Sequence, residues 1–296
     1  MILTIYTPTY NRESLLPRIY KSLCNQTIKS FRWLVVDDGS TDQTCSLISG
    51  WKKNSSFEIV YIHKENGGVH TAHNLAFDVV KTELIWYVDS DDWLENDAVE
   101  MVLNKWNAKN GNYLGIFAKV KSSSKNNRNK IFPNVCEVSY QDLFYKYHYK
   151  GDVAIVVRTD VLKELKNFPV YPKEKLVSES YKWIQLPDIP FLILNAFTIC
   201  KEYQRTGYTE NVRYGFFNNL HGYSDLYNMH VKCAKFLRVK LEYCLKYIVS
   251  NSFLRTKNFV RQSANPLMTI LLFPVGKIVY YILKKKWAPF FSEKDI

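Results

Sequence analysis

The residues in this chain best suited to chemistry are Asp89, Asp91 and Asp92, which close the run Tyr87-Val88-Asp89-Ser90-Asp91-Asp92. An apolar stretch, Leu84-Ile85-Trp86-Tyr87-Val88, leads into them and reads as a buried strand. A strand that ends in several carboxylates places like charges at the edge where a parallel sheet opens its ligand crevice. Such charges repel one another, and a cation relieves them. A hard divalent ion is the natural candidate, because magnesium or manganese takes one or two protein carboxylates and completes its shell with water and phosphate oxygens. The plainer alternative is a turn followed by a helix, with Asn96 as its cap.

The elements that must position this cluster lie upstream. Ile2-Leu3-Thr4-Ile5-Tyr6-Thr7-Pro8 predicts a first strand, ended by Pro8 and followed by Thr9-Tyr10-Asn11-Arg12. A helix is expected from near Glu13, with Pro17 tolerated in its first turn and Leu15, Leu16, Ile19 and Leu23 at helical spacing. A second strand, Phe31 to Val36, runs into Asp37-Asp38-Gly39-Ser40-Thr41-Asp42, again acidic residues at a strand's carboxyl end. A third, Phe57 to Ile62, runs into Lys64-Glu65-Asn66-Gly67-Gly68, and a helix from about Val69 to Lys81 leads to the acidic strand. Strands alternating with helices in this way predict a doubly wound, mostly parallel α/β sheet whose polar loops share one edge.

Taken in order, Pro8-Thr9-Tyr10-Asn11-Arg12, Val35-Val36-Asp37-Asp38-Gly39-Ser40-Thr41-Asp42, Asn66-Gly67-Gly68 with Ala72-His73-Asn74, and Val88-Asp89-Ser90-Asp91-Asp92 resemble the signature of family 2 glycosyltransferases. The resemblance is strong to about residue 110, moderate to about 215 and weak beyond. It implies the GT-A fold, a nucleotide-diphosphate sugar donor and inversion at the anomeric carbon. It also implies a donor site built from Pro8, Tyr10, Arg12, Asp38, Asn66, Gly67, His73, Asp89 and Ser90. In that site Asp38 would accept the imide N–H of a uracil flanked by Pro8 and Tyr10. Asp89 and Asp91 would hold manganese or magnesium on the diphosphate, with Asp92 orienting its neighbours. Arg12, Lys64 and His73 either assist with phosphate charge or serve as surface and capping residues; many relatives carry arginine where this chain has His73.

An inverting transfer also needs a general base to take the acceptor hydroxyl's proton. Relatives place an acid after an aromatic or proline-rich segment, at a helix start. Here that segment is Phe168-Pro169-Val170-Tyr171-Pro172, and Glu179 is the chosen base, with Glu174 the fallback. Many relatives have a Glu-Asp pair where this chain has Glu179-Ser180. Tyr181 and Trp183 either form a stacking face for an acceptor sugar or belong to the core. Arg205, in a segment that resembles the one closing over the donor in relatives, is a further candidate for a phosphate contact.

With 296 residues, 47% of them hydrophobic, the chain can bury one large core or two lobes. Its six cysteines, Cys24, Cys45, Cys136, Cys200, Cys233 and Cys244, lack paired metal spacing, and no secretion signal precedes the first strand, so they read as reduced cytoplasmic thiols. The run from Lys121 to Lys130 is of low complexity and reads as a surface excursion. Charge concentrates in the tail: from His230 to Ile296 there are 13 Lys and Arg against 3 Asp and Glu, which supplies +10 of the chain's +12. Those cations alternate with apolar residues in an amphipathic pattern. An apolar run from Pro266 to Leu283, broken only by Pro274 and Lys277, ends in Lys284-Lys285-Lys286-Trp287. This favours a helix at an anionic inner leaflet over one that spans, with a solvated helix pair as the alternative.

The expected organisation is a nucleotide-sugar-binding half over residues 1–110, an acceptor-binding half over 111–215 and a basic, membrane-associating helical region over 216–296. The expected function is transfer of a sugar, from UDP in particular, to a saccharide or polyprenyl-linked acceptor in surface-polysaccharide synthesis, by a protein peripheral on the inner face of the cell membrane. An inactive sugar-nucleotide-binding relative and a basic nucleic-acid-binding protein are the alternatives. The second leaves the acidic cluster unexplained, and no nucleic-acid partner is expected. A dinucleotide oxidoreductase would want a Gly-x-Gly-x-x-Gly turn after the first strand, where Thr7-Pro8-Thr9-Tyr10-Asn11-Arg12 stands instead.

Overall fold

The structure is a computed structural model and describes residues 1–122, 131–202 and 212–287. The first four strands along the chain are β1 (Leu3–Thr9), β2 (Phe31–Asp37), β3 (Glu58–His63) and β4 (Leu84–Tyr87). They lie in the order β3-β2-β1-β4, all parallel. Every residue of β1 is buried, as expected of a strand covered on both faces. The crossovers run through α1 (Leu16–Cys24), α2 (Thr44–Asn54) and α3 (Val69–Val79). Pro17 stands in the first turn of α1, where its missing N–H costs nothing. The register pairs Thr9 with Asp37 and Tyr6 with Tyr87, so the carboxyl ends of β1, β2 and β4 open at one edge.

Beyond β4 the sheet is mixed. After β5 (Trp93–Leu94) and α4 (Ala98–Asn107) come β6 (Gly115–Ser122), β7 (Glu137–Val138), β8 (Val153–Arg158), α5 (Thr159–Glu164), α6 (Ser180–Trp183) and β9 (Phe191–Lys201). The order continues β4-β8-β6-β9-β5, with β7 also on β9. Strand β8 runs antiparallel to β4 and to β6, and only the β6–β9 pair is parallel. The physical reason is local: among the described residues from 111 to 201 no α-helix is longer than the six residues of α5, so crossovers that would continue a parallel sheet are missing. Pairing of β9 with β5 sets Cys200 opposite Trp93, which brings the end of β9 beside the loop that follows β4.

The chain divides into two compact units, Met1–Phe168 with Leu186–Asn211 and Pro169–Gln185 with Val212–Ile296. The first contains the sheet. Its core is rich in large aromatics, with Trp33, Trp86, Trp106 and Phe31 essentially inaccessible. The second contains α6 and a set of C-terminal helices, α7 (Val212–Asn218), α8 (Leu220–Cys233), α9 (Leu237–Leu254), α10 (Phe259–Gln262) and α11 (Pro266–Trp287). A small core of Val231, Cys244 and Ile248 joins α8, α9 and α11, and the buried Asn251 amide donates to Ser224 Oγ at 2.8 Å.

Candidate active site

The three carboxylates after β4 share one short turn, closed by the Asp92 N–H donating to the Asp89 carbonyl at 3.1 Å. The Tyr87 hydroxyl donates to Asp89 Oδ1, and the Lys201 ammonium stands 3.3 Å from Asp89 Oδ2 and 3.3 Å from Asp92 Oδ2. Burial pushes the Asp92 carboxyl up, to about 8, and Asp89 and Asp91 push the same way while Lys201 pulls it down. Burial also raises Asp91, with Asp89 adding to it and Lys201 and Arg12 opposing. Arg18 donates to the Asp91 carbonyl at 2.7 Å, stacks on Trp93 and pairs with Glu202. Lys201 and Arg18 were not singled out from the sequence: one is 109 positions beyond Asp92, and only the pairing of β9 with β5 brings it there.

The second loop is organised by Asp37 and Asp38. Asp37 is fully buried and accepts from Ser40 N at 2.8 Å and from the Tyr61 hydroxyl at 2.5 Å, which fixes the turn. Gly39 has φ of +84°, and a Cβ there would come within 2.8 Å of Asn66 N, so the turn admits glycine alone. Asp38, 4% exposed, accepts from Lys64 Nζ at 2.5 Å, Gly67 N at 2.9 Å, Gly68 N at 2.7 Å and Asn66 Nδ2 at 3.2 Å. A carboxylate accepts about four bonds. Asp38 therefore receives a uracil imide only when one donor yields, and Lys64 is the one on a flexible stem. Asn66 and Gly67, two expected donor-site residues, are brought to Asp38.

The other expected residues fall into two groups. Pro8 and Ser90 are buried, while Tyr10 is 48% exposed and Arg12 half-buried. Asn11 ties the first loop to the second, accepting from Thr41 N at 2.8 Å. His73 is buried among Tyr6, Phe77, Tyr87 and Phe168, and burial holds its pKa down at about 4 while the Asp89 carboxylate pulls it up. Burial favours its neutral form, packed edge-on against Tyr87 at 5.0 Å. Its neighbour Asn74 has a positioning part, exchanging two 2.9 Å hydrogen bonds with the backbone of Phe168.

In the helical unit, Glu174 is 7% exposed and accepts from His221 N at 2.8 Å, His221 Nδ1 at 2.7 Å and Gly222 N at 2.8 Å. It caps the amino end of α8 and is committed there. Glu179 is half-buried at the N-cap of α6 and makes no side-chain cap bond. Tyr181 and Trp183 are 1% and 6% exposed, which assigns them to the core instead of an acceptor stacking face. Arg205 and most of the low-complexity run lie outside the described residues.

Among the described residues no group of three or more His, Cys, Asp or Glu converges as a metal cage. The donor set that does exist, Asp89 and Asp91 on one turn, suits magnesium or manganese, which draw most of their shell from water and phosphates. Three carboxylates share this turn with the single ammonium of Lys201, and a divalent ion fits such a set.

Comparison with known proteins agrees with this fold. The Staphylococcus aureus TarS fragment 1–349, solved in complex with UDP-GlcNAc, superposes with a TM-score of 0.60 at 19% identity, over 88% of this chain and 75% of that one. The fold is GT-A. A family model, Glycosyl transferase family 2, matches residues 4–166, and the chain belongs to that family. Glycosyltransferase GlyA of Streptococcus pneumoniae is 35% identical over 103 residues, which is 35% of this chain and 15% of GlyA. The chondroitin synthase of Pasteurella multocida is 36% identical over 105 residues, 36% of this chain and 11% of the synthase. A Campylobacter jejuni GalNAc(5)-diNAcBac-PP-undecaprenol beta-1,3-glucosyltransferase is 26% identical over 229 residues, 76% of this chain and 72% of that enzyme. The chain thus matches a small part of GlyA and of the chondroitin synthase and most of the Campylobacter enzyme.

Proposed function

We propose that this chain is an inverting glycosyltransferase that moves a sugar from UDP to a saccharide or lipid-linked oligosaccharide in surface-polysaccharide synthesis. The observation that carries the reading is the acidic turn of Asp89, Asp91 and Asp92 at the carboxyl edge of the parallel strands, beside the Asp38 loop. The Campylobacter relative is named for an undecaprenol diphosphate acceptor and supports the lipid-linked class. By the family motifs, residues 1–110 hold the donor and residues 111–215 the acceptor.

In this reading Asp89 and Asp91 hold manganese or magnesium, which when bound supplies Lewis acidity to the diphosphate leaving group. Tyr87 fixes the rotamer of Asp89 by its hydrogen bond, and Lys201 holds Asp89 and Asp92 in place. Asp38 receives the uracil imide in exchange for the Lys64 ammonium, with Pro8 and Tyr10 against the ring and Arg12 near the phosphates. Glu179 takes the proton of the acceptor hydroxyl as its oxygen bonds to the anomeric carbon and the bond to UDP breaks. Attack opposite the leaving group inverts the centre. The protein works in the cytoplasm, peripheral on the inner face of the membrane.

Calorimetry with UDP, GDP and ADP and a screen of UDP-sugars for metal-dependent UDP release test the reading. UDP should bind tightest by on the order of tenfold to a hundredfold, the worth of one charge-assisted hydrogen bond. Equal affinities for the three nucleotides, with no UDP-sugar turned over, would overturn it.

A further inference from the structure

Helix α11 is apolar on two faces, and only one of them is packed. Its inner face carries Met268, Leu272 and Phe273 onto the core of Val231, Cys244 and Ile248. Thr269 is fully buried there, its hydroxyl 3.4 Å from Cys244 Sγ, and the Tyr280 ring meets Phe253 edge-on at 4.8 Å. Gly276 lets the helices touch: a Cβ at that position would come within 2.5 Å of Ile248 Cγ2. The outer face carries Leu267, Ile270, Leu271, Val275, Ile278 and Ile282, which are 48–79% exposed. Their spacing is helical, and the stripe runs about 24 Å without a charge. The one charged residue between Pro266 and Ile282, Lys277, lies to the side, with its ammonium 4.9 Å from the Tyr280 ring. A helix apolar all round belongs in a core or in lipid, and this one has a core on one side only.

The charges beside the stripe say what covers it. Residues 230–287 contain 12 Lys and Arg and a single acid, Glu242. Lys285 and Lys286 end the exposed stripe, and Arg255, Lys257 and Arg261 are exposed just before it. A second copy meeting this face would bring two cationic sets together. An anionic bilayer meets both the cations and the apolar stripe.

By length and composition α11 could also cross a membrane. Its packing argues otherwise. The inner face follows α9 from Cys244 to Phe253, and α9 exposes Arg238 and Glu242 and buries Asn251 bonded to Ser224. Taking α11 through the hydrocarbon would drag those groups in with it. We infer that α11 lies flat in the surface of an anionic bilayer, outer stripe in the acyl boundary and inner face on α9. The inference rests on the peripheral attachment proposed above and specifies its mode.

The test uses the full chain and vesicles of phosphatidylethanolamine with phosphatidylglycerol. Co-sedimentation should be strong, and Leu271→Glu with Ile278→Glu, both on exposed positions, should weaken it by more than about tenfold with circular dichroism and UDP affinity unchanged. Tryptophan placed singly at Leu267, Val275 and Ile282 then reads depth, through quenching by lipids brominated at different carbons. Equal shallow depth at all three supports the flat helix. A deep Val275 between two shallow ends would overturn it in favour of a span. Wild-type binding no stronger than that of the double variant would overturn it too, and since UDP binding is measured apart, that result would leave the glycosyltransferase reading standing.

Discussion

The Lys201 ammonium stands 3.3 Å from Asp92 Oδ2, and the Asp92 side chain is 4% exposed. The same nitrogen faces Asp89, so the acidic turn carries a cation of its own from the end of β9. A metal arriving at Asp89 meets that ammonium as a competitor. Lys201→Met should therefore bind manganese more tightly than the parent protein in the absence of nucleotide, by about tenfold. Titration followed by electron paramagnetic resonance measures this directly. Unchanged or weaker affinity would mean that Lys201 does not compete with the ion.

Asp91→Asn should abolish metal-enhanced UDP binding and UDP-sugar turnover. Its fold should survive, because Asp91 sits in a turn already crowded with like charge and burial raises its carboxyl. Removing one negative charge there relieves repulsion. Calorimetry with and without manganese checks the binding, circular dichroism the fold. Full turnover by the parent protein in excess chelator would sink the metal assignment.

Much of the first unit was legible in its sequence. Pro17, the glycine turns and the β-branched runs marked β1 to β4 to within about two residues, since each signal is local. The mixed half of the sheet was not legible, because antiparallel pairing needs no crossover helix and leaves no periodic mark. Lys201 and Arg18 were missed because their partners lie across the chain, at Asp92 and Asp91. His73 and Glu174 show the converse: residue type suggested chemistry, while the environment gives one an aromatic cage and the other the amino end of α8.

Glu179 and Glu174 separate cleanly by experiment. Glu174→Gln should lower stability by about 1–3 kcal/mol, because its carboxylate holds three donors at the start of α8. Glu179→Gln should leave UDP affinity nearly unchanged and lower turnover by about a hundredfold to ten-thousandfold. Denaturant melts and steady-state rates on both variants decide it. Near-normal turnover in Glu179→Gln would place the base elsewhere.

His230 should cost the protein stability in mild acid, against the opposite trend of the raised Asp91 and Asp92 carboxyls. His230 is fully buried, stacked on Tyr243 at 3.8 Å, with its Nδ1 bonded to the Leu226 carbonyl at 2.9 Å, and burial holds its pKa at about 4. The unfolded chain takes up that proton near pH 6.5, and the folded one only near pH 4. The stabilisation is thus complete above about pH 6.5, is lost as pH falls toward 4, and levels off below; it amounts to on the order of 3 kcal/mol. His73 shifts in the same direction in the other unit. Across this range the pH slope of the urea midpoint should differ between the parent protein and His230→Phe by that loss. An unchanged slope would show that His230 does not drive it.

The contact of Gly276 with Ile248 should be the mechanical key to the seat of α11. Alanine normally gains about 1 kcal/mol over glycine inside a helix. Here its Cβ would meet Ile248 Cγ2 at 2.5 Å, and Ile248 is a rigid, fully buried β-branched side chain that cannot swing away. Either Ile248 leaves its rotamer or α11 lifts, at a cost of about 1–3 kcal/mol. Gly276→Ala should therefore destabilise in spite of its propensity, and Gly276→Leu more so. Ile248→Ala alone should cost about 2–5 kcal/mol through the cavity it leaves. Combined with Gly276→Ala it should cost less than the two single losses together, since the added methyl enters the space that the isoleucine vacates. Thermal melting of the full chain for the two single variants and the double variant measures the coupling, and simple additivity would mean that the two helices are not held apart by this pair.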